Sequence, residues 1–178
     1  MKRLLLDLDV ALDALLDRPP FSEDSLNVWG AAFQRQIAVT LPSHGVTTAF
    51  YVISRQKGRA AAHKIVAGLL EITQIAGVDD GVLRRAVALG WPDFEDAVCA
   101  AAAEAAQCDL IVSRDPRGFP DSPVLVVNPV TAISMITGQP GLVSERPARG
   151  YAARPSSRRR GRPATARAGQ RRTGTVQD

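Results

Sequence analysis

The side chains in this sequence best suited to chemistry are carboxylates in three separated segments. Asp7 and Asp9 end the apolar run Leu4-Leu5-Leu6-Asp7-Leu8-Asp9. Asp93 and Asp96 stand three residues apart in Asp93-Phe94-Glu95-Asp96, which places both on one helix face. Asp115 follows the apolar segment Leu110-Ile111-Val112-Ser113. Oxygen ligands without His or Cys suit Mg2+ or Mn2+. A metal held this way can activate water and stabilise a leaving oxygen in phosphodiester cleavage. Each acid also has a plainer reading. Asp93 can be a helix N-cap with Asp96 at the third helical position, both favoured by the helix dipole. Asp115 before Pro116 can be turn chemistry. Asp7 is harder to dismiss, because charge beside a leucine run is costly unless paired or metal-bound.

The elements that must position these acids follow from hydrophobic pattern and turn residues. Leu4–Leu6 suits a strand buried on both faces. Residues 10–17 have helical spacing, and Arg18-Pro19-Pro20 stops them. Ser22 can cap a second helix whose stripe is Leu26, Trp29 and Phe33, continuing to Ile37. Residues 37–41 read as a second strand. A helix from about Gly45 to Arg55 offers Phe50, Tyr51 and Ile53 to a core, and Gly58 separates it from a periodic helix over 59–70. Residues 72–78 read as a third strand, and Asp79 or Asp80 caps the next helix. Residues 93–107 form an alanine-rich helix, residues 110–113 a fourth strand and 123–127 a fifth. Asn128-Pro129 opens a last helix through about Thr137. Glu95, Asp13 and Asp17 are assigned to solvated faces. His44 and His63 stand isolated, Trp29 and Trp91 suit core or rim, and Cys99 suits a small core position. Strands alternate with helices throughout. The expected fold is therefore α/β, a three-layer α/β/α arrangement around a mainly parallel sheet of about five strands. Parallel strands end on one edge, so Asp7 and Asp115 can face one crevice.

The 178 residues are 46% hydrophobic, enough for one domain with a real core. No apolar run approaches the roughly 20 residues that span a membrane. Met1–Leu6 briefly imitates a signal peptide, but Asp7 and Asp9 interrupt it early and no small-residue cleavage site follows. With two cysteines, Cys99 and Cys108, in no metal-binding spacing, a reduced, cytoplasmic setting is expected. The net charge of +4 hides a division. Residues 1–144 hold 12 Lys and Arg against 16 Asp and Glu, whereas residues 145–178 hold 10 Arg against Glu145 and Asp178. The basic character thus belongs to the tail and is no evidence that the body binds nucleic acid.

Taken in order, Leu4-Leu5-Leu6-Asp7-Leu8-Asp9-Val10, Tyr51-Val52-Ile53, Asp93-Phe94-Glu95-Asp96-Ala97 and Ile111-Val112-Ser113-Arg114-Asp115 through Phe119 resemble a PIN domain. The family includes the VapC-like toxins of bacterial toxin–antitoxin pairs. The resemblance covers roughly residues 2–137. It implies an endoribonuclease in which Asp7, Asp96 and Asp115 are catalytic and hold Mg2+ or Mn2+, with Asp93 nearby and Asp9 in support. RNA is the implied substrate and a cognate antitoxin the implied partner; a homodimer is compatible with it. Two departures stand out. The acid that the family commonly carries at the start of its central helix is missing from Val46-Thr47-Thr48-Ala49, where Thr48 is the best match. Gly118-Phe119 stands where Asp-Phe is usual. These departures motivate a second reading, a catalytically weak or inactive PIN-like nucleic-acid-binding module acting through its tail. A small phosphatase or nucleotide-binding domain fits less well, since no Gly-rich phosphate loop follows the first strand.

The chain is accordingly divided into a nuclease-like domain over 1–137 and an Arg/Pro/Gly-rich tail over 138–178. The tail lacks the apolar residues to offset ordering entropy and is expected to be disordered. Within it, Arg158-Arg159-Arg160-Gly161-Arg162-Pro163 contains Arg-Gly-Arg-Pro, which resembles an AT-hook core able to enter a narrow minor groove. Non-specific attraction of Arg158, Arg159, Arg160 and Arg162 to DNA or RNA phosphates is the simpler expectation, and disorder without a role stays open beside it.

Overall fold

Leu4, Leu5 and Leu6 are fully enclosed and form the middle of a five-stranded, all-parallel sheet. An apolar run without turn formers behaves this way when helices cover both faces of a sheet. The computed structural model describes residues 1–138. In chain order its elements are β1 (Lys2–Leu6), α1 (Leu8–Leu16), α2 (Ser22–Phe33), β2 (Ile37–Pro42), α3 (Ser43–Lys57), α4 (Arg59–Ile72), β3 (Gln74–Ala76), α5 (Asp80–Leu89), α6 (Phe94–Ala105), β4 (Leu110–Val112), β5 (Val126–Val127) and α7 (Pro129–Thr137), with a 3-10 turn at Pro116–Gly118. The strand order is β3-β2-β1-β4-β5. The expected α/β/α layering is present, with every strand pair parallel.

The period of two along each strand divides the core. Leu4, Leu6, Val39, Leu41, Leu110 and Val112 point to one face, against Val10, Val28, Trp29 and Ala132 of the helices α1, α2 and α7. Leu5 and Ile111 point to the other, against α5 and the alanines of α6. Every residue from Ala97 to Ala103 is buried. Methyl-sized side chains let α6 lie close to the sheet, which fixes where its N-terminus sits. A smaller cluster of Leu12, Ala49, Ile53 and Ala62 joins α1, α3 and α4.

Several local expectations need correction. The buried face of α2 is Ser25, Val28, Trp29 and Ala31, whereas Leu26 and Phe33 are exposed; of the expected stripe only Trp29 points inward from the helix, because the packed face is phased around small residues. Ser22 begins that helix rather than capping it. Tyr51 is exposed, its hydroxyl accepting from Arg55. The strands β3 and β5 are shorter than their apolar segments. Asp79 is the residue that caps α5, accepting from the Val82 N–H. The largest correction concerns Asp13, which is fully buried rather than solvated. Gly138 closes α7 in a left-handed conformation; the rest of the tail expected over 138–178 lies outside the described residues. Among the described residues no helix is long and apolar enough to cross a membrane.

Close packing of α6 predicts a sharp size limit. Ala100→Leu should destabilise the fold by about 1–3 kcal/mol in urea unfolding, because extra methylenes in a filled core force strain. Ala67→Leu on the exposed face of α4 should leave the midpoint nearly unchanged.

Candidate metal centre

The sheet is wound outward from β1 in one direction through β2 and β3, and in the other through β4 and β5. The order therefore switches between β1 and β4, and the region past the carboxyl ends of two such strands is the usual ligand position in open α/β sheets. Asp7 leaves β1 at that point. Its N–H donates to the Val112 carbonyl at 3.0 Å, and its Oδ2 accepts from Ser113 Oγ at 2.8 Å. Ser113 Oγ in turn accepts from the Asp115 N–H at 3.3 Å. One hydroxyl thus ties the acid after β1 to the acid after β4.

The helix α6 brings its own acids to the same edge. Asp93 Oδ1 accepts from the N–H groups of Glu95 at 2.9 Å and Asp96 at 3.3 Å, so the capping reading of Asp93 is realised. Asp96 sits in the first turn of α6, free of that task and partly buried. Its carboxylate rests against the 3-10 turn: a Cβ built on Gly118 would lie 2.8 Å from Asp96 Oδ2. The edge-to-face pair of Trp91 and Phe119, with ring centroids 5.9 Å apart, binds that turn to the segment leading into α6. Glycine at 118 leaves the room that Asp96 occupies.

Burial is the main cause that raises Asp7 to about 6, opposed by the Ser113 hydrogen bond and assisted by the charge of Asp9. Burial likewise leads in raising Asp96 to about 7, with repulsion from Asp7, Asp93, Glu95 and Asp115 added to it. Asp7, Asp96 and Asp115 therefore belong to one electrostatic neighbourhood, and a shared cation would relieve it. The donor set, carboxylates without thiolate or imidazole in the group, fits Mg2+ or Mn2+ in chemistry. Among the described residues, no three His, Cys, Asp or Glu side chains are gathered to hold an ion as they stand. The fit is thus one of charge and ligand type rather than of a closed cage.

Asp9 lies in the first turn of α1, and its carboxylate is taken by Arg114 Nη2 and by Arg18 Nη1 at 3.5 Å. Asp115 Oδ1 accepts from the N–H of Arg117 and lies 3.4 Å from its Nε, so its turn role is realised. Thr48, the match for the missing acid, is exposed and donates to the His44 carbonyl at 3.3 Å. Arg158, Arg159, Arg160 and Arg162 lie outside the described residues.

Three residues at this edge escaped the sequence reading. Ser113 carries no signal of its own until β1 and β4 are known to be neighbours. Arg114 reads as a surface cation in a turn, yet it bridges Asp9 and Asp13. His44 opens α3 with its Nδ1 buried and without a hydrogen-bond partner, and desolvation lowers its pKa against the pull of Glu95.

A family model described as a PIN domain matches residues 3–117. Among solved structures, VapBC2 from Rickettsia felis bound to a promoter DNA fragment superposes with a TM-score of 0.55 at 15% identity, covering 71% of this chain and 98% of that one. FitAcB from Neisseria gonorrhoeae gives 0.55 at 21% identity, over 71% and 97%. VapC20 from Mycobacterium tuberculosis, a sarcin–ricin-loop-cleaving toxin, gives 0.53 at 13% identity, over 65% and 92%. At these identities the likeness is one of fold. No curated protein matches the chain.

Both carboxyl shifts are upward, so between the ordinary value of 3.8 and about 7 the folded protein holds protons that the unfolded chain releases. The stability tied to them is complete at low pH and lost as pH rises through about 6 and about 7. Metal-free protein should therefore lose stability across that window, followed by urea midpoints at each pH. Asp96→Asn should flatten the upper part of the slope; a slope identical to wild type would show that Asp96 does not titrate there.

Proposed function

The chain belongs to the PIN domain family, and on that premise we propose that it is a metal-dependent endoribonuclease, the toxin of a toxin–antitoxin pair. The observation that carries this reading is the placement of Asp7 and Asp115 past the ends of the neighbouring strands β1 and β4, close enough to the first turn of α6 that their charges add to burial in raising Asp96, while burial chiefly raises Asp7. These three would hold Mg2+ or Mn2+. When bound, the ion supplies neutralisation of phosphodiester charge and a more acidic water for attack. Ser113 fixes the direction of the Asp7 carboxylate, and the α6 N-terminus presents Asp96 from the opposite wall. Asp93 holds that N-terminus in place by capping it, and Glu95 adds negative potential. Solved relatives described as toxin–antitoxin assemblies, including one from Klebsiella pneumoniae, support a partner protein for this chain, and the sarcin–ricin-loop-cleaving relative supports RNA as substrate.

A second reading, a catalytically weak module that binds nucleic acid through Arg158, Arg159, Arg160 and Arg162, is favoured by Thr48 in place of an acid and by the open arrangement of the carboxylates. Deleting residues 145–178 separates the two. The nuclease reading expects metal-dependent cleavage to persist in the shortened chain. The module reading expects nucleic-acid binding to vanish, with no cleavage in either form.

Titrating Mn2+ into wild type and Asp96→Asn while following cleavage of RNA should give activity in the first and a loss of about a hundredfold or more in the second, in line with removal of a group that supports charge development in the transition state. Equal activity would remove Asp96 from the site. Metal bound only by the folded state should stabilise wild type by about 2.7 kcal/mol at a hundredfold excess over Kd, seen as a rise in Tm that Asp96→Asn lacks. Gly118→Ala should leave the fold largely intact, because only the end of the Asp96 side chain must move. It should nonetheless weaken Mn2+ binding in calorimetry by displacing that carboxylate.

A further inference from the structure

Asp13 is a fully buried carboxylate that the proposed chemistry does not use. It lies one turn beyond Asp9 on the same face of α1. Its Oδ1 accepts from Arg114 Nη1 at 3.4 Å and lies 4.0 Å from Arg18 Nη1, while its Oδ2 is buried without a hydrogen-bond partner. The other arm of Arg114 reaches Asp9 Oδ2, and its guanidinium lies 4.8 Å over the Phe21 ring. Arg114 is therefore gripped by two acids of α1 and by the aromatic residue ahead of α2. The planar guanidinium fork makes such a grip directional rather than a diffuse attraction.

Arg114 also sits between the two residues that organise the metal-binding edge. Ser113 on one side donates to Asp7 and accepts from the N–H of Asp115 on the other. Anchoring the middle residue limits how the backbone of 113–115 can turn. Asp7 stands at the N-cap position of α1, so the helix that carries Asp9 and Asp13 also begins at the first proposed ligand. Buried ion pairs seldom add stability over apolar residues of similar volume. Stability alone therefore gives little reason for a charge at position 13.

We propose that Asp13 and Arg114 are positioning residues for the metal centre, locking the Ser113–Asp115 segment to α1 so that Asp7 and Asp115 face one ion. This inference rests on the metal-nuclease reading above. The test uses the full chain and the double variant Asp13→Leu with Arg114→Met. That variant removes one charge of each sign, leaving the net charge of the edge unchanged, and fills the space with apolar groups. It should melt close to wild type, yet bind Mn2+ in calorimetry about 10- to 100-fold more weakly, the range typical of losing groups that orient ligands. Wild-type Mn2+ affinity in a folded double variant would overturn the proposal. Should the double variant fail to fold, Arg114→Lys decides: it keeps the charge and loses the fork, so its affinity should also fall, and unchanged affinity would overturn the proposal. A wild-type chain that takes up no Mn2+ would instead refute the metal reading, and this inference with it.

Discussion

The seam between β1 and β4 sets the positions on which everything else at this edge depends. Asp7 N–H bonds to the Val112 carbonyl, and Ser113, the residue just past β4, places its hydroxyl on the Asp7 carboxylate. Parallel register brings Leu6 level with Val112, so an acid that follows Leu6 and a serine that follows Val112 must meet. That register is itself secured by the alternation of Leu4, Leu5 and Leu6 between two helical layers. A slip of one residue would exchange the two faces of the strand.

Charge at the end of that seam runs against burial. Asp7 and Asp96 are both held above the ordinary carboxylate range, chiefly by desolvation. The structure answers such charges in different ways on the two sides of Asp7. Toward α1, Asp9 and Asp13 receive Arg114 and Arg18. Toward α6, Asp96 has only the room left by Gly118 and the company of other acids. That side, where the cationic contact among the described residues is Arg117 on the exposed Asp115, is where an ion is proposed to bind.

Much of this was legible in the sequence, and the failures have physical causes. The leucine run, the alanine-rich helix and the alternation of elements point to a parallel sheet, and because parallel strands end on one edge Asp7 and Asp115 could be placed together there; the strand order itself could not be read. Asp96 could be chosen over Asp93 only by resemblance, since spacing puts both on one face; the structure adds that Asp93 caps α6. Asp13 was misread because an acid in an amphipathic helix usually faces water, and its partner Arg114 lies 101 positions away in sequence. No local pattern reports a pairing at that distance. Ser113 was hidden for the same reason, and Leu26 and Phe33 were misassigned because periodicity gives the existence of a stripe more securely than its phase.

The central claim, that Asp7 and Asp96 share one divalent ion, predicts a coupling between metal and protons. Carboxylates at about 6 and about 7 are partly protonated in mildly acidic solution and must release those protons to bind metal. Mn2+ titration calorimetry in two buffers of different ionisation enthalpy measures the release directly. At about pH 6.5 the account predicts close to one proton set free per ion, falling toward zero by about pH 8. Binding without proton release at the lower pH, or no binding at either, would contradict it.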